Sequence, residues 1–279
     1  MNKHLLTAVL ALSLVASAHA QSSGPLANLT VSGTFDYESQ YVFRGKKVTN
    51  SALQPMVNFA YPVSDGTVNA YVWTSNPLGR QGTATPGGNN EIDIGIYYQH
   101  AIPGIDNTTG EVGYQLYWYP NFGNGVGATA ASRTHEFHVG AIYDTTSLLN
   151  YNLMPTVKWY HDVILDSDTL TGSIGYSWDL SDASGLKGLS LNPLATLGWT
   201  GMNRTFGDVA GQNWRNSYLF WELDLELDYK FNSNTTLFFA GHYAGQNDGT
   251  AGGFAGGNPS ANGSNSGQIW LGLGVKWNM

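Results

Sequence analysis

The chain has 279 residues, of which only 11% are charged, with a formal net charge of −8 and no cysteine. Ordinary soluble domains carry about 25% charged residues, and an acidic chain has no electrostatic reason to seek nucleic acid. The absence of cysteine excludes a disulfide framework and any thiolate metal centre.

In chain order, the first element is an export signal. Lys3 and His4 head an apolar run over residues 5–16, and Ala18-His19-Ala20 puts small residues where a signal peptidase reads. The run is too short to span a bilayer as a helix, so cleavage is expected between Ala20 and Gln21. Residues 21–28 form a short N-terminal segment, too small for a plug domain.

From Leu29 to Met279 the dominant signal is alternation with a period of two. The first strand is predicted over 29–46, with Leu29, Val31, Gly33, Phe35, Tyr37, Tyr41 and Phe43 outward and Asp36, Glu38, Gln40, Arg44 and Lys46 inward. Further strands are predicted over 53–61, 67–76, 91–102, 111–119, 134–143, 153–165, 169–180, 189–200, 218–231, 236–243 and 268–279. The clearest lies over 219–231. There Leu219, Trp221, Leu223, Leu225, Leu227, Tyr229 and Phe231 share one face, and Glu222, Asp224, Glu226, Asp228 and Lys230 share the other, with Phe220 as the one apolar intruder. Strand 67–76 is ambiguous, because Val68, Ala70 and Val72 compete with Tyr71 and Trp73 for the outer face. The total is twelve, an even number, as single-chain bacterial barrels have. The predicted fold is all-β: a transmembrane antiparallel up-and-down β-barrel over residues 29–279.

Composition agrees. Glycine (35), tyrosine (16) and tryptophan (9) are abundant, while the mean hydropathy is only −0.20. That combination arises when every second residue of a strand meets lipid and aromatic girdles flank the belt. Ser64-Asp65-Gly66 and Asn232-Ser233-Asn234 have the chemistry of tight turns and fall at one end. The long connections 79–90, 121–132, 202–214 and 244–267, rich in Gly, Asn, Ser and Thr, fall at the other. Three connections fit poorly: those near Thr49 and Asp166 are short for the long-loop end, and 103–110 is long for the tight-turn end.

Tyr41-Val42-Phe43-Arg44-Gly45 is the most specific short motif, and Glu91-Ile92-Asp93-Ile94 opens a later strand. Together they resemble segments of the TorF family of porins, in which a similar motif sits in the first strand of an amphipathic barrel. The specific match covers about a tenth of the chain. It implies a porin-like protein of the bacterial outer membrane and implies no particular solute. The final strand, amphipathic with Trp277 near its end, resembles the signal by which the barrel-assembly machinery receives its clients.

Strand parity sends Asp36, Glu38, Glu91, Asp93, Glu111, Glu136, Asp162, Asp179, Glu222, Asp224, Glu226 and Asp228 to the lumen, with Arg44, Lys46, Lys158, Lys230 and Lys276. Two readings follow. Charged rings in a water-filled channel set ion selectivity, here for cations; alternatively, polar residues fill a narrow lumen in ion pairs. Arg44 fits either a constriction or a structural partnership with Glu38 or an acid on a neighbouring strand. Tyr61, Trp118, Trp159, Trp199 and Trp221 read as girdle residues, and Tyr97, Tyr117, Tyr119 and Tyr160 as inward ones suited to a solute path.

No catalytic, cofactor or metal site is predicted. His135 and His138 have opposite parity, as do His161 and Asp162, and no serine lies in a nucleophile motif. The glycine-rich run 251–257 lacks the Lys-Ser/Thr of a phosphate loop. The expected function is passive diffusion of small hydrophilic solutes or ions with weak cation preference. The alternative is a non-conducting structural or adhesive barrel. Expected partners are outer-membrane lipid, the assembly machinery and the solutes themselves.

Overall fold

The computed structural model describes residue 24 and residues 26–78, 90–120, 133–202, 216–247 and 267–279. The expected signal peptide, half of segment 21–28 and the bulk of the four long connections, including the run 251–257, lie outside these residues.

Sixteen strands are described. They are β1 (Thr30–Glu38), β2 (Tyr41–Phe43), β3 (Lys46–Thr49), β4 (Ala52–Leu53), β5 (Met56–Val63), β6 (Gly66–Pro77), β7 (Glu91–Ala101) and β8 (Thr108–Trp118). The chain continues with β9 (Arg133–Tyr143), β10 (Thr156–Asp162), β11 (Ser167–Gly175), β12 (Trp178–Asp179), β13 (Leu189–Met202), β14 (Asn216–Lys230), β15 (Thr235–Gln246) and β16 (Gln268–Asn278). Pro55 separates β4 from β5, and the pair acts as one wall strand; β11 and β12 act as another. With these joined, twelve wall strands follow one another antiparallel in chain order. β16 returns to β1, from Ser32↔Asn278 to Glu38↔Gly272, and closes the barrel. Among the described residues the barrel wall has no free sheet edge to template another chain.

The alternation of β14 becomes an inside and an outside. Leu223 and Leu225 point away from the barrel and are 52% and 50% exposed. Their neighbours Glu222, Asp224, Glu226 and Asp228 line the lumen, half-sheltered. Phe35, Ile94, Ile96, Val112, Phe137, Val139, Val157, Leu197, Leu237, Phe239, Leu271 and Leu273 extend the exposed apolar surface around the barrel. A continuous belt of this size is not stable in water and is the surface a membrane barrel presents to lipid. Among the described residues no helix is long and apolar enough to cross a membrane; the strands do the crossing.

In β6 the competition resolves toward Val68, Ala70 and Val72 outside and Tyr71 and Trp73 inside. Tyr71 is paired with Gly95, over which its ring lies, and Trp73 is paired with the buried Asp93. The missing side chain at Gly95 makes room for a ring in the lumen, which composition alone does not reveal.

The first strand is where the sequence reading fails. It does not run to residue 46. β1 stops at Glu38, and residues 39–51 fold into the barrel, where β2 and β3 pair as a separate hairpin. At its tip Arg44 and Gly45 have φ of 50° and 74°, the left-handed conformations that a tight two-residue hairpin turn requires. Tyr41 and Phe43, expected toward lipid, are therefore inside. Arg44 and Lys46 do reach the lumen, but from the hairpin and not from the wall. This inward fold explains the shortage of external chain near Thr49. The short connection near Asp166 is a tight turn in which the Asp162 carboxylate accepts the N–H groups of Ile164 and Leu165 at 2.9 and 2.8 Å. At the opposite end β8 begins at Thr108, so the connection expected over 103–110 is shorter than predicted. Two helical turns, Thr146–Leu149 and Ser181–Ser184, occupy connections at that same end.

Candidate functional site in the lumen

The hairpin spans the lumen near the long-loop end. Arg44 Nη2 reaches the far wall and pairs with Glu136 Oε1 at 2.7 Å. Glu136 is 2% exposed, and its Oε2 also accepts the Tyr117 hydroxyl at 2.6 Å. The guanidinium lies over the rings of Phe43 and Tyr160, at 4.7 and 5.2 Å from their centroids. On the opposite side, Lys46 Nζ sits 4.1 Å from the centroid of Tyr218. Gly45 is pressed against the Gly245 carbonyl and Phe220, so that a Cβ at this position would overlap both. Val42 packs with Ala244 and Trp270, and Tyr41 with Trp73 at 5.4 Å. The hairpin thus touches β6, β8, β9, β10, β14, β15 and β16. Between its tip and the wall a cavity of about 20 Å³ remains, lined in part by Phe43, Arg44, Tyr117, Asp162 and Tyr218. That is room for a single water molecule.

The other carboxylates divide by partner. Glu111 takes Lys158 Nζ at 2.5 Å, His138 Nε2 at 2.9 Å and Gln99 Nε2 at 2.9 Å. Lys276 holds Glu226 at 2.5 Å and Asp228 at 3.1 Å. Asp93 accepts Gln115 Nε2 at 3.1 Å, while Glu91 is bonded by the hydroxyls of Tyr41 and Tyr119. Asp162, besides its turn, accepts Thr134 Oγ1 at 2.5 Å. A last group comprises Asp36, Glu38, Glu222 and Asp224 around His242, whose Nδ1 lies 2.6 Å from Asp224 Oδ1. Trp270 stacks on that imidazole at 4.8 Å with the planes 10° apart.

Most of the carboxylates expected in the lumen are there, but two expected lumen residues are not. Asp179, at the end of the β11–β12 wall strand, is exposed and accepts the Ser181 N–H at 2.8 Å. Lys230 is exposed at the rim, where β14 ends. Asp162 is a turn-closing group more than a pore-lining one. Tyr117, Tyr119 and Tyr160 face inward as predicted, yet they seat the hairpin or bond buried acids. His135 and His138 occupy opposite faces; His135 Nδ1 is bonded to Tyr114 Oη on the outside. Trp118, Trp159 and Trp199 stand on the exterior with about two fifths of their surface exposed, as girdle residues should.

The sequence reading set Phe220 and Trp270 on the inward parity of their strands without giving either a role, and it did not place Tyr218 inward. One sign was present: Phe220 sits on an otherwise acidic strand face, and it does so because it abuts Gly45. The partnership of His242 with Asp224 needed the β14–β15 register, which sequence does not supply. At the tight-turn end, His100 Nε2 lies 2.7 Å from Asp65. That hydrogen bond is the main reason the Asp65 carboxyl is held below its usual range.

No family model matches the sequence, and no curated protein sequence is similar to it. Among solved structures the fold is similar to the NanC porin, at 12% identity and a TM-score of 0.47 over 89% of this chain and 98% of that one. It is similar to the KdgM porin at 10% identity and a TM-score of 0.45, over 88% and 98%. The outer membrane protease OmpT from Escherichia coli aligns at 11% identity and a TM-score of 0.34, over 93% and 100%.

Proposed function

We propose that this chain is a bacterial outer-membrane channel, exported by removal of residues 1–20, that passes small hydrophilic solutes or ions with weak cation preference. The observation that carries the reading is the division of each wall strand into an apolar outer face and a polar inner face on which carboxylates outnumber cations. A polar lumen enclosed by lipid is useful mainly as a water path, and fixed charges along it select by sign. The hairpin 41–49 is the constriction of that path. Its motif, Tyr41 to Gly45, is also the segment that resembles the TorF family, so the resemblance falls on the part that sets pore width. Insertion into the membrane by the assembly machinery is part of the same reading, and no catalytic role is assigned.

The test is conductance in planar bilayers with the refolded full-length barrel. Wild type is expected to show small unitary steps, and a variant with residues 41–49 replaced by a short Gly-Ser link is expected to show larger ones. If the link variant folds and neither protein conducts, the lumen is not a water path and the barrel is a structural or adhesive one.

A further inference from the structure

The Asp36, Glu38, Glu222 and Asp224 group differs from the other carboxylates of the lumen. Glu136 has Arg44, Glu111 has Lys158, and Glu226 and Asp228 share Lys276. Glu91, Asp93 and Asp162 are hydrogen-bonded by neutral donors. Among the described residues no lysine or arginine ion-pairs with the Asp36, Glu38, Glu222 and Asp224 group, and its one basic neighbour is the imidazole of His242. Four carboxyl groups around a single imidazole leave a local excess of acidic groups over basic ones.

The geometry of that excess is that of a ligand set. Glu222, Asp224 and His242 each offer a ligand atom, and the three atoms lie within 4.8 Å of one another. First-row ions bind imidazole nitrogen and carboxylate oxygen at roughly 2.0–2.2 Å, which sets ligand atoms about 3.3 Å apart in a tetrahedron. Side-chain adjustments of about an ångström close the difference. Glu222 and Asp224 are on the same face of β14, and Asp224 is paired with His242 of β15, so backbone register holds all three.

A separate observation points to the ion. Glu38 is only 7% exposed, and its Oε2 is buried and accepts no hydrogen bond. It faces His242 Nε2, itself buried without a hydrogen bond, at 3.8 Å. The carboxylate crosses β16 at Gly272, where any side chain would collide with it. When an imidazole binds a metal through Nδ1, its remaining proton is on Nε2, and that N–H is ordinarily given to a carboxylate that fixes the ring. Glu38 stands where such an acceptor is needed, and Trp270 holds the ring plane from one side.

We propose that Glu222, Asp224 and His242 form a binding site in the lumen for a divalent first-row metal ion of the zinc class, with Glu38 orienting the imidazole. The mixed nitrogen and oxygen donors favour such an ion over magnesium or calcium, which take oxygen ligands. The fourth position is open to water. Binding does not require that the barrel conduct.

The test uses the refolded full-length barrel in detergent, with heat-modifiable migration confirming closure of each variant. Zn²⁺ alone is titrated by calorimetry, and Co²⁺ alone is followed by its visible absorption. One saturable site per barrel is expected. His242→Ala and the isosteric double variant Glu222→Gln with Asp224→Asn should each weaken binding at least tenfold and abolish the cobalt band. Glu38→Gln should weaken it by roughly 10–100-fold while retaining the band, as outer-shell partners do. His100→Ala, at the rim, should bind as wild type does. The proposal is overturned if no saturable site exists, if the closed isosteric variant binds with wild-type affinity, or if binding is lost with His100 and kept without His242.

Discussion

Replacing Arg44 by Gln should release the hairpin without opening the wall. Glu136 is almost completely buried, and its partners are Arg44 and Tyr117. Removing one member of a buried ion pair costs about 3–5 kcal/mol, because the other charge is left without compensation. The guanidinium's contacts with Phe43 and Tyr160 add about 1 kcal/mol. At 1.4 kcal/mol per factor of ten, a loss near 4 kcal/mol shifts the seated-to-released equilibrium of the hairpin by roughly a thousandfold. The wall has its own continuous hydrogen-bond ladder, so the loss should fall on seating. Trypsin reads this directly, since Arg44, Lys46 and Lys47 lie in the hairpin. In vesicles, wild type should resist cleavage at these sites and Arg44→Gln should be cut there, with larger unitary conductance if the lumen conducts. Adding Glu136→Gln, which removes the stranded charge, should recover much of the protection. Equal protection of Arg44→Gln and wild type would refute the idea that this ion pair seats the hairpin.

Three further outcomes follow from the same structure. Leu225→Arg should impair folding into vesicles far more than Asp224→Arg, because a basic side chain at mid-membrane on the lipid face costs about 2–4 kcal/mol; equal yields would invert the assignment of inside and outside. Gly45→Val should expose the hairpin to trypsin as Arg44→Gln does, since φ at this position is 74° and a side chain collides with Gly245 and Phe220. Asp65 titrates in the fold below its ordinary value near 3.8, so its bond to His100 stabilises the fold above that value and is lost as pH falls through the lower one. Asp65→Asn should therefore lower refolding yield slightly at pH 7, where wild type has the bond, and the two yields should converge as pH falls below about 4.

The wall was legible because lipid and water enforce a strict alternation. The parity of Leu219 to Lys230 or of Glu91 to Tyr97 could be read one residue at a time, and closure followed from the even strand count. The hairpin was not legible for the same reason. Residues 39–46 continue the alternation of β1, with Tyr41 and Phe43 on the apparent outer face, and a protein lumen accepts such aromatics as readily as lipid does. What holds the chain inward is tertiary: Gly45 fitted against Gly245 and Phe220, Tyr41 packed on Trp73, and a buried acid, Glu136, paired with Arg44. Lys276 illustrates a second limit. Parity placed it in the lumen with Glu226 and Asp228, but only the closed register brings it within 2.5 Å of one and 3.1 Å of the other.

On the proposed channel function, that pairing changes how the acidic face of β14 would act on permeating ions. Glu222, Asp224, Glu226 and Asp228 repeat about every 7 Å along the strand, inside the Debye length of about 10 Å at 0.1 M salt, and on sequence alone they form one ladder. With Lys276 bound to the lower two, those acids and the ammonium form a compact group whose field weakens quickly with distance. The upper two have no lysine or arginine partner, and Asp224 is bonded only by the His242 imidazole at 2.6 Å. Removing the lower group entirely, as Lys276→Met with Glu226→Gln and Asp228→Asn, takes away one net negative charge. Removing the upper pair, as Glu222→Gln with Asp224→Asn, takes away two carboxyl groups that no lysine or arginine holds. Reversal potentials under a salt gradient, measured with a chelator so that the His242 site is metal-free, should show the upper variant moving the cation-to-anion ratio toward 1. The lower variant should move it less than half as far. At 1 M salt the Debye length falls to about 3 Å, and the difference should vanish. If the lower variant shifts selectivity as much as the upper one at 0.1 M, Lys276 does not screen its partners and the four acids act as a single ladder.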